Sequence, residues 1–317
     1  MCKFSIIIAA YNVGEYIEVA INSCLNQRNS EDISFEIIVI NDGSTDDTGE
    51  HLKKYQYNAN INIINQENAG LSAVRNSGVE ISKGEYILFL DGDDWLSPNT
   101  IYLMNEAVEQ SDLVLFPMQY YYNENNIVTK SYPLEERQYS SKEILEKTIG
   151  HSIFNVTPAP CKCYKREILI YSNQIFLKGI LHEDGPYFMD TMHNFKTVTY
   201  VNEGLYFYRQ ARENSITTSK RTYRNVEGIV KGTSHIFDVY GYNNPDVNLY
   251  YISSSIMQIL PKYRTKEDKK LVLQYYRQLS IKRFLFTALI HSRFNFKTAV
   301  LTMLTLVDPA IVSFLNR

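Results

Sequence analysis

The first hundred residues alternate short apolar runs with segments of helical period, and that alternation constrains the fold more than any other feature. Ser5–Ala10 and Glu36–Asn41 (EIIVIN) read as buried strands, Ile61–Asn65 as a third and Glu85–Leu90 as a fourth. Between the first two, Glu15–Gln27 sets apolar residues at 17, 20, 21, 24 and 25, the spacing of a helix with one buried face. Ser44 or Thr45 is placed to cap the next helix, with Asp46 and Asp47 in its first turn. Leu71–Ser82 supplies a further helix. Near-continuous Ile and Val strands joined by helices predict an α/β, Rossmann-like, mostly parallel sheet covered on both faces.

The fourth strand runs out into Asp91-Gly92-Asp93-Asp94. In open α/β sheets ligands bind beyond the carboxyl ends of strands, so this turn is the first candidate site. Three carboxylates so close repel one another, and a hard divalent cation with oxygen ligands removes that cost. Mn²⁺ or Mg²⁺ suits such a site and also carries substrate phosphates. The plainer alternative is an acidic turn capping the helix that Ser97-Pro98 opens. The other strand ends carry Ala10-Tyr11-Asn12, Asp42-Gly43-Ser44 and the stretch from Glu67 to Asn76. Together they supply an aromatic for a base, carboxylates for ribose hydroxyls and metal, and an Arg for phosphate. Neither a G-x-x-x-x-G-K-[ST] nor a G-x-G-x-x-G motif is present, so a nucleotide site here is built on carboxylate rather than on a glycine cradle.

Beyond Asn99 the pattern loosens. Asp112–Met118 reads as a strand, Tyr120–Tyr139 as a polar, Tyr-rich excursion and Lys142–His151 as a helix. Arg166–Ser172 is a short strand or helix, Thr197–Val201 and Leu205–Tyr208 are strands, and spacing is helical from about Arg221. A net charge of -3 gives no case for a nucleic-acid protein. Cys161-Lys162-Cys163 lacks the second pair that a structural zinc site needs, and reduced thiols in the cytoplasm are the expectation. The apolar run that follows Met1 is too short for a signal peptide, which also predicts a cytoplasmic catalytic part.

Six motifs, in order, resemble the family 2 glycosyltransferases of GT-A fold: SIIIAAYN (5–12), VINDGSTDDT (39–48), NAGLSAVRNSG (68–78), DGDD (91–94), His182-Glu183-Asp184 and YFYRQARENSIT (206–217). The resemblance covers roughly the first 220 residues. It implies a nucleotide-sugar-binding half over 1–100 and an acceptor-binding half over 101–220, to which the helical spacing adds a helical C-terminal region over 221–317. It implies that Tyr11 stacks near the nucleotide base with Asn12 beside it, and that Asp42 hydrogen-bonds uracil or ribose. Asn68 and Arg75 would line the pyrophosphate side, Asp91 and Gly92 would lie near the ribose, and Asp93 would ligate the metal, with Asp94 adjacent. Asp184 would be the general base, and Arg209, Arg212 and Ser215 would lie in a flexible loop closing over the donor. Ala9-Ala10 stands where Pro-x is commoner in the family.

The activity so implied is inverting, metal-dependent sugar transfer to a saccharide acceptor, lipid-linked through polyprenyl diphosphate, in surface-polysaccharide synthesis. UDP is the favoured nucleotide, with GDP and dTDP as open alternatives. A glycoside hydrolase fits poorly, since it needs two carboxylates across the scissile bond and no metal-suited cluster. A nucleotide-sugar-binding protein without transfer is the other rival. Between Lys262 and Lys297 ten Lys/Arg face only Glu267 and Asp268, a net of +8, and the apolar segment from Ala299 to Leu315 is broken by Asp308-Pro309. That pairing suits attachment to an anionic membrane surface at the cytoplasmic face. Its alternative is a basic helix packed on the domain.

Overall fold

The structure is a computed structural model, which describes residues 2–151 and 157–210 together with 228, 231, 232, 235, 236 and 238–240. Strands β1 (Phe4–Ala10), β2 (Phe35–Asp42), β3 (Ile61–Gln66) and β4 (Tyr86–Asp91) pair in parallel in the order β3-β2-β1-β4. The crossovers carry helices α1 (Gly14–Leu25), α2 (Thr48–Lys53) and α3 (Leu71–Ile81). The chain thus builds outward from β1 on one side and then returns to place β4 on the other. This makes the gap between β1 and β4 the switch point of the sheet, the place where α/β sheets bind ligands.

Alternation along β1 explains the two covered faces. Phe4, Ile6 and Ile8 join the core with Ile17, Ala20 and Ile21 of α1, all fully buried. Ile7 points the other way, towards α3, where a Cβ on Gly78 would lie 2.4 Å from its Cγ2. Each such Ile contributes about 2 kcal/mol relative to an exposed one. Register sets Ala9 opposite Asp91 and Ala10 opposite Asn41, so the polar loops leave one edge together.

Beyond β4 come β5 (Trp95–Leu96), α4 (Thr100–Ala107), β6 (Leu113–Leu115), β7 (Met118–Asn123), β8 (Asn126–Lys130), β9 (Gln138–Ser140) and α5 (Ser141–His151). The chain continues with β10 (Lys162–Lys165), α6 (Arg166–Tyr171), α7 (Asp184–Asn194), β11 (Thr197–Tyr200) and β12 (Tyr206–Arg209). The large sheet extends from β4 through β10, β6 and β11 to β9, with β10 antiparallel to both neighbours. A second sheet has the order β5-β12-β7-β8.

Three expectations change here. Asp112–Met118 is not one strand: Phe116-Pro117 divides it into β6 and β7, which enter different sheets, since Pro lacks the N–H a continuing ladder needs. The Tyr-rich excursion contains the β7–β8 hairpin. The helix after Ser97-Pro98 starts at Thr100, with Asn99 at its N-cap.

The described residues divide into two compact units. The first holds residues 2–142, 157–179 and 191–210 and contains both sheets. The second holds residues 143–151 and 180–190 with the described positions from 228 on. The helical spacing expected from about Arg221 falls largely outside the described residues, and the basic and apolar tail falls wholly outside them. Among the described residues no helix is long and apolar enough to cross a membrane.

Candidate functional site

The loop after β1 is fastened to the loop after β2. Asn12 sits in the left-handed region at φ 50°, which Asn tolerates better than most residues. Its N–H donates to Ser44 Oγ (3.0 Å), and its Oδ1 accepts the Thr45 N–H (2.8 Å). Val13 N–H donates to Thr48 Oγ1 (2.9 Å) and Gly14 N–H to Asp46 Oδ2 (3.0 Å), so these side chains satisfy two orphan donors at the start of α1. Ser44 and Thr45 therefore do not cap α2 as expected. That helix begins at Thr48 with Asp47 at its N-cap, beyond their reach, and they hold Asn12 instead. Tyr11, beside this clasp, is 48% exposed.

Asp42 ends β2 almost completely buried. Its Oδ1 accepts Gln66 Nε2 (2.7 Å) and the Ala69 N–H (2.9 Å), and its Oδ2 accepts the Gly70 N–H (2.8 Å). The carboxylate thereby fixes the loop that carries the exposed Asn68. Gly43 follows at φ 69°, where a Cβ would lie 2.8 Å from the Asn68 nitrogen; the two loops touch because that position is glycine.

Arg75, on α3, is buried at 2% exposure, not solvated on a helix face. Its Nη2 donates to Asp91 Oδ1 (2.9 Å), and its guanidinium lies 5.2 Å from the Phe176 ring centroid. Asn76 clamps the Phe176 backbone in both directions, donating to its carbonyl (2.9 Å) and accepting its N–H (2.8 Å).

The acidic turn does not converge its three carboxylates on one point. Asp91 turns to Arg75. Asp94 is buried, with Oδ2 accepting the Tyr206 hydroxyl (2.6 Å) and Oδ1 accepting the Arg209 N–H (2.8 Å). Burial pushes its carboxyl well above the usual range, with Asp93 and Asp91 adding to the effect. Asp93 is half-buried at the edge, as is Asp91. Among the described residues no group of three His, Cys, Asp or Glu side chains could hold a metal ion. Asp91 and Asp94 each have a protein partner here. One accessible carboxylate still fits Mn²⁺ or Mg²⁺, since such ions take one or two carboxylates and complete their shell with phosphate oxygens and water. Gly92 N–H donates to Ala9 O (2.9 Å), and a Cβ there would meet that oxygen at 2.8 Å.

Arg209 was expected in a loop; it occupies the last position of β12. Its Nε donates to the Asp93 carbonyl (2.9 Å), and its guanidinium lies 4.8 Å from the ring centroids of both Tyr16 and Trp95. Its Nη nitrogens make no hydrogen bond among the described residues. Arg212 and Ser215 lie outside the described residues.

Asp184 belongs to the second unit, where it begins α7. His182 has a left-handed backbone at φ 66°, and its carbonyl accepts the Gly185 N–H (3.3 Å). Glu183 is buried, and its carbonyl accepts the Tyr187 N–H (3.2 Å). Sequence reasoning missed Tyr206, Tyr16 and Trp95 around the acidic turn, and Asn76 and Phe176 beneath it. Tyr206 stands within a quoted motif, but only burial distinguishes it from its neighbours.

Residues 5–171 match the family model for glycosyl transferase family 2. The uncharacterized glycosyltransferase EpsJ of Bacillus subtilis (strain 168) is 34% identical over 221 residues, which span 67% of this chain and 62% of that protein. The poly(ribitol-phosphate) beta-N-acetylglucosaminyltransferase TarS of Staphylococcus aureus is 27% identical over 219 residues, 67% of this chain and 36% of that one. The chain therefore spans less than two thirds of the length of these relatives. The crystal structure of S. aureus TarS 1-349 in complex with UDP-GlcNAc superposes with a TM-score of 0.76 at 19% identity, covering 98% of this chain and 90% of that one. The mannosyltransferase PcManGT from Pyrobaculum calidifontis, in complex with GDP-Man and Mn²⁺, does so with a TM-score of 0.52 at 12% identity, covering 91% and 86%. These likenesses show the fold, the mostly parallel GT-A arrangement expected from the sequence.

Proposed function

The chain belongs to glycosyl transferase family 2, and from that premise we propose that it transfers a sugar from a nucleotide diphosphate donor, UDP-linked in the favoured case, to a saccharide acceptor. The observation that carries this reading is the acidic turn at the β1–β4 switch point. There Asp93 is accessible, and the Arg209 guanidinium beside it retains donors for an anion. A diphosphate placed there would meet Arg209 on one side and the Asp93 site on the other.

Asp93 is the residue that would hold Mn²⁺ or Mg²⁺. When bound, such an ion supplies positive charge to the leaving diphosphate. Tyr11, half exposed beside the clasped loops, is assigned to the base, with Asn12 and Asp42 holding the loops that frame it. Asn68 and Asp91 are assigned to the ribose and diphosphate side, and Arg75 acts there through Asp91. Gly92 keeps the turn close to β1. Asp184 is assigned to take the proton from the acceptor hydroxyl as that oxygen attacks the anomeric carbon. Attack opposite the leaving group inverts that carbon. A lipid-linked acceptor at the cytoplasmic membrane face is the setting favoured by the +8 stretch before the apolar tail.

The test is a panel of UDP-, GDP- and dTDP-sugars with saccharide acceptors, with and without Mn²⁺. Release of free nucleotide diphosphate that requires both metal and acceptor supports transfer. Release of nucleotide without any new glycoside, or binding without turnover, contradicts it.

A further inference from the structure

Tyr206 fills a core position that phenylalanine would fill equally well by shape. It opens β12, packs in the main apolar cluster and is fully shielded from solvent. A buried hydroxyl is destabilising unless it is hydrogen-bonded. Here it is bonded twice, and both bonds go to the acidic turn. The hydroxyl accepts the Asp91 N–H (3.2 Å) and donates to Asp94 Oδ2 (2.6 Å). Asp94 in turn accepts the Arg209 N–H, and Arg209 Nε donates to the Asp93 carbonyl.

Each of the three aspartates is therefore tied to β12 through a different atom: the Asp91 backbone N–H, the Asp93 carbonyl and the Asp94 carboxylate. Gly92, between them, is tied to β1 through Ala9. The turn is held from both sides, while the Asp91 carboxylate is paired with Arg75 of α3. Asp94 spends both oxygens on β12, so its carboxyl serves the frame and not a ligand.

We propose that Tyr206 is a positioning residue for the donor site, its hydroxyl acting through Asp94 and the Asp91 backbone to set the orientation in which Asp93 meets a metal–diphosphate complex. This rests on the reading of Asp93 given above. Ligand carboxylates need to be held to within about 0.5 Å, and residues that hold a metal ligand from behind typically change affinity or activity by about 10–100-fold when removed. Tyr206→Phe keeps the ring and deletes only the hydroxyl.

The experiment is calorimetry on the full chain, titrating UDP with and without saturating Mn²⁺, for wild type, Tyr206→Phe, Asp94→Asn and the double variant. The expected result is a loss of at least about 10-fold in Mn²⁺-dependent UDP affinity for Tyr206→Phe, at full stoichiometry and with metal-free UDP affinity unchanged. The double variant should lose less than the product of the two single losses, because the two share the Tyr206–Asp94 bond. Tyr206→Phe that binds UDP with Mn²⁺ as wild type does, whatever its melting temperature, overturns the inference, as does multiplication of the two single effects. If Tyr206→Phe does not fold, Asp94→Asn alone must show the same metal-specific loss, and wild-type binding by that variant overturns the inference. Wild-type protein without Mn²⁺-dependent UDP binding would remove the assignment of Asp93 and this inference with it.

Discussion

Arg75 and Asp91 form an ion pair across 2.9 Å in which the guanidinium is buried and the carboxylate is about a third exposed. The guanidinium lies 5.9 Å from the Phe89 ring centroid and 5.2 Å from that of Phe176. Burying a charge is costly unless it is paired, and here one carboxylate and two aromatic faces offset that cost.

Arg75→Ala is expected to lower the unfolding free energy by about 3 kcal/mol, the lower end for breaking a buried pair because Asp91 is partly solvated. Arg75→Lys should lose less, since it keeps the charge but not the planar fork. Urea unfolding of both variants checks the order; equal stability of Arg75→Ala and wild type would contradict the pairing.

Gly92→Ala should destabilise by about 1–3 kcal/mol, the usual cost of overpacking, because its methyl would press on the Ala9 carbonyl. The affected contact also holds the acidic turn, so Mn²⁺-dependent UDP affinity should fall in the same variant. A thermal melt paired with calorimetry reads both effects.

Much of this was legible along the chain, and the exceptions share a cause. Strands β1, β2 and β4 and helix α1 declared themselves because their burial is local, near-continuous along the strands and periodic along the helix. The candidate loops emerged with them, since strand ends fix where loops begin. The partition of the three aspartates did not, because Asp94 finds its partner in Tyr206 at a separation of 112 residues and Asp91 finds its own on a helix. Neighbouring carboxylates look alike in a sequence; only the elements packed against them decide which is buried. Ser44 and Thr45 escape the sequence reading for a similar reason: both bond Asn12 of the preceding loop, Ser44 Oγ accepting its N–H and the Thr45 N–H donating to its Oδ1.

In the second unit, His235 Nε2 lies 3.0 Å from Asp190 Oδ2, while the Tyr240 hydroxyl donates to Asp190 Oδ1 (2.6 Å). The hydrogen bond with Asp190 raises the imidazole above its ordinary value of 6.5, against partial burial and with help from the charges of Asp190 and Asp238. A raised folded-state value means that this stabilisation is fully present below the unfolded pKa and is lost as pH rises through the folded one. Melting temperature should therefore fall as pH rises above about 6.5 in wild type. His235→Gln should flatten that portion of the profile. An identical slope in the variant would assign the pH dependence elsewhere.

Asp184→Asn should leave donor affinity nearly intact while lowering turnover by roughly 10²–10⁴-fold, the usual worth of a general base. Turnover at the wild-type rate would place the base elsewhere, with Glu183 the first alternative.

The central claim is that Asp93, alone among the three aspartates of the turn, receives the metal–diphosphate complex. Calorimetric titration of UDP into Asp93→Ala, with and without Mn²⁺, tests it most directly. The account predicts a folded protein whose metal-free UDP affinity matches wild type and whose Mn²⁺-dependent gain in affinity is abolished. An undiminished Mn²⁺-dependent gain in Asp93→Ala would contradict it.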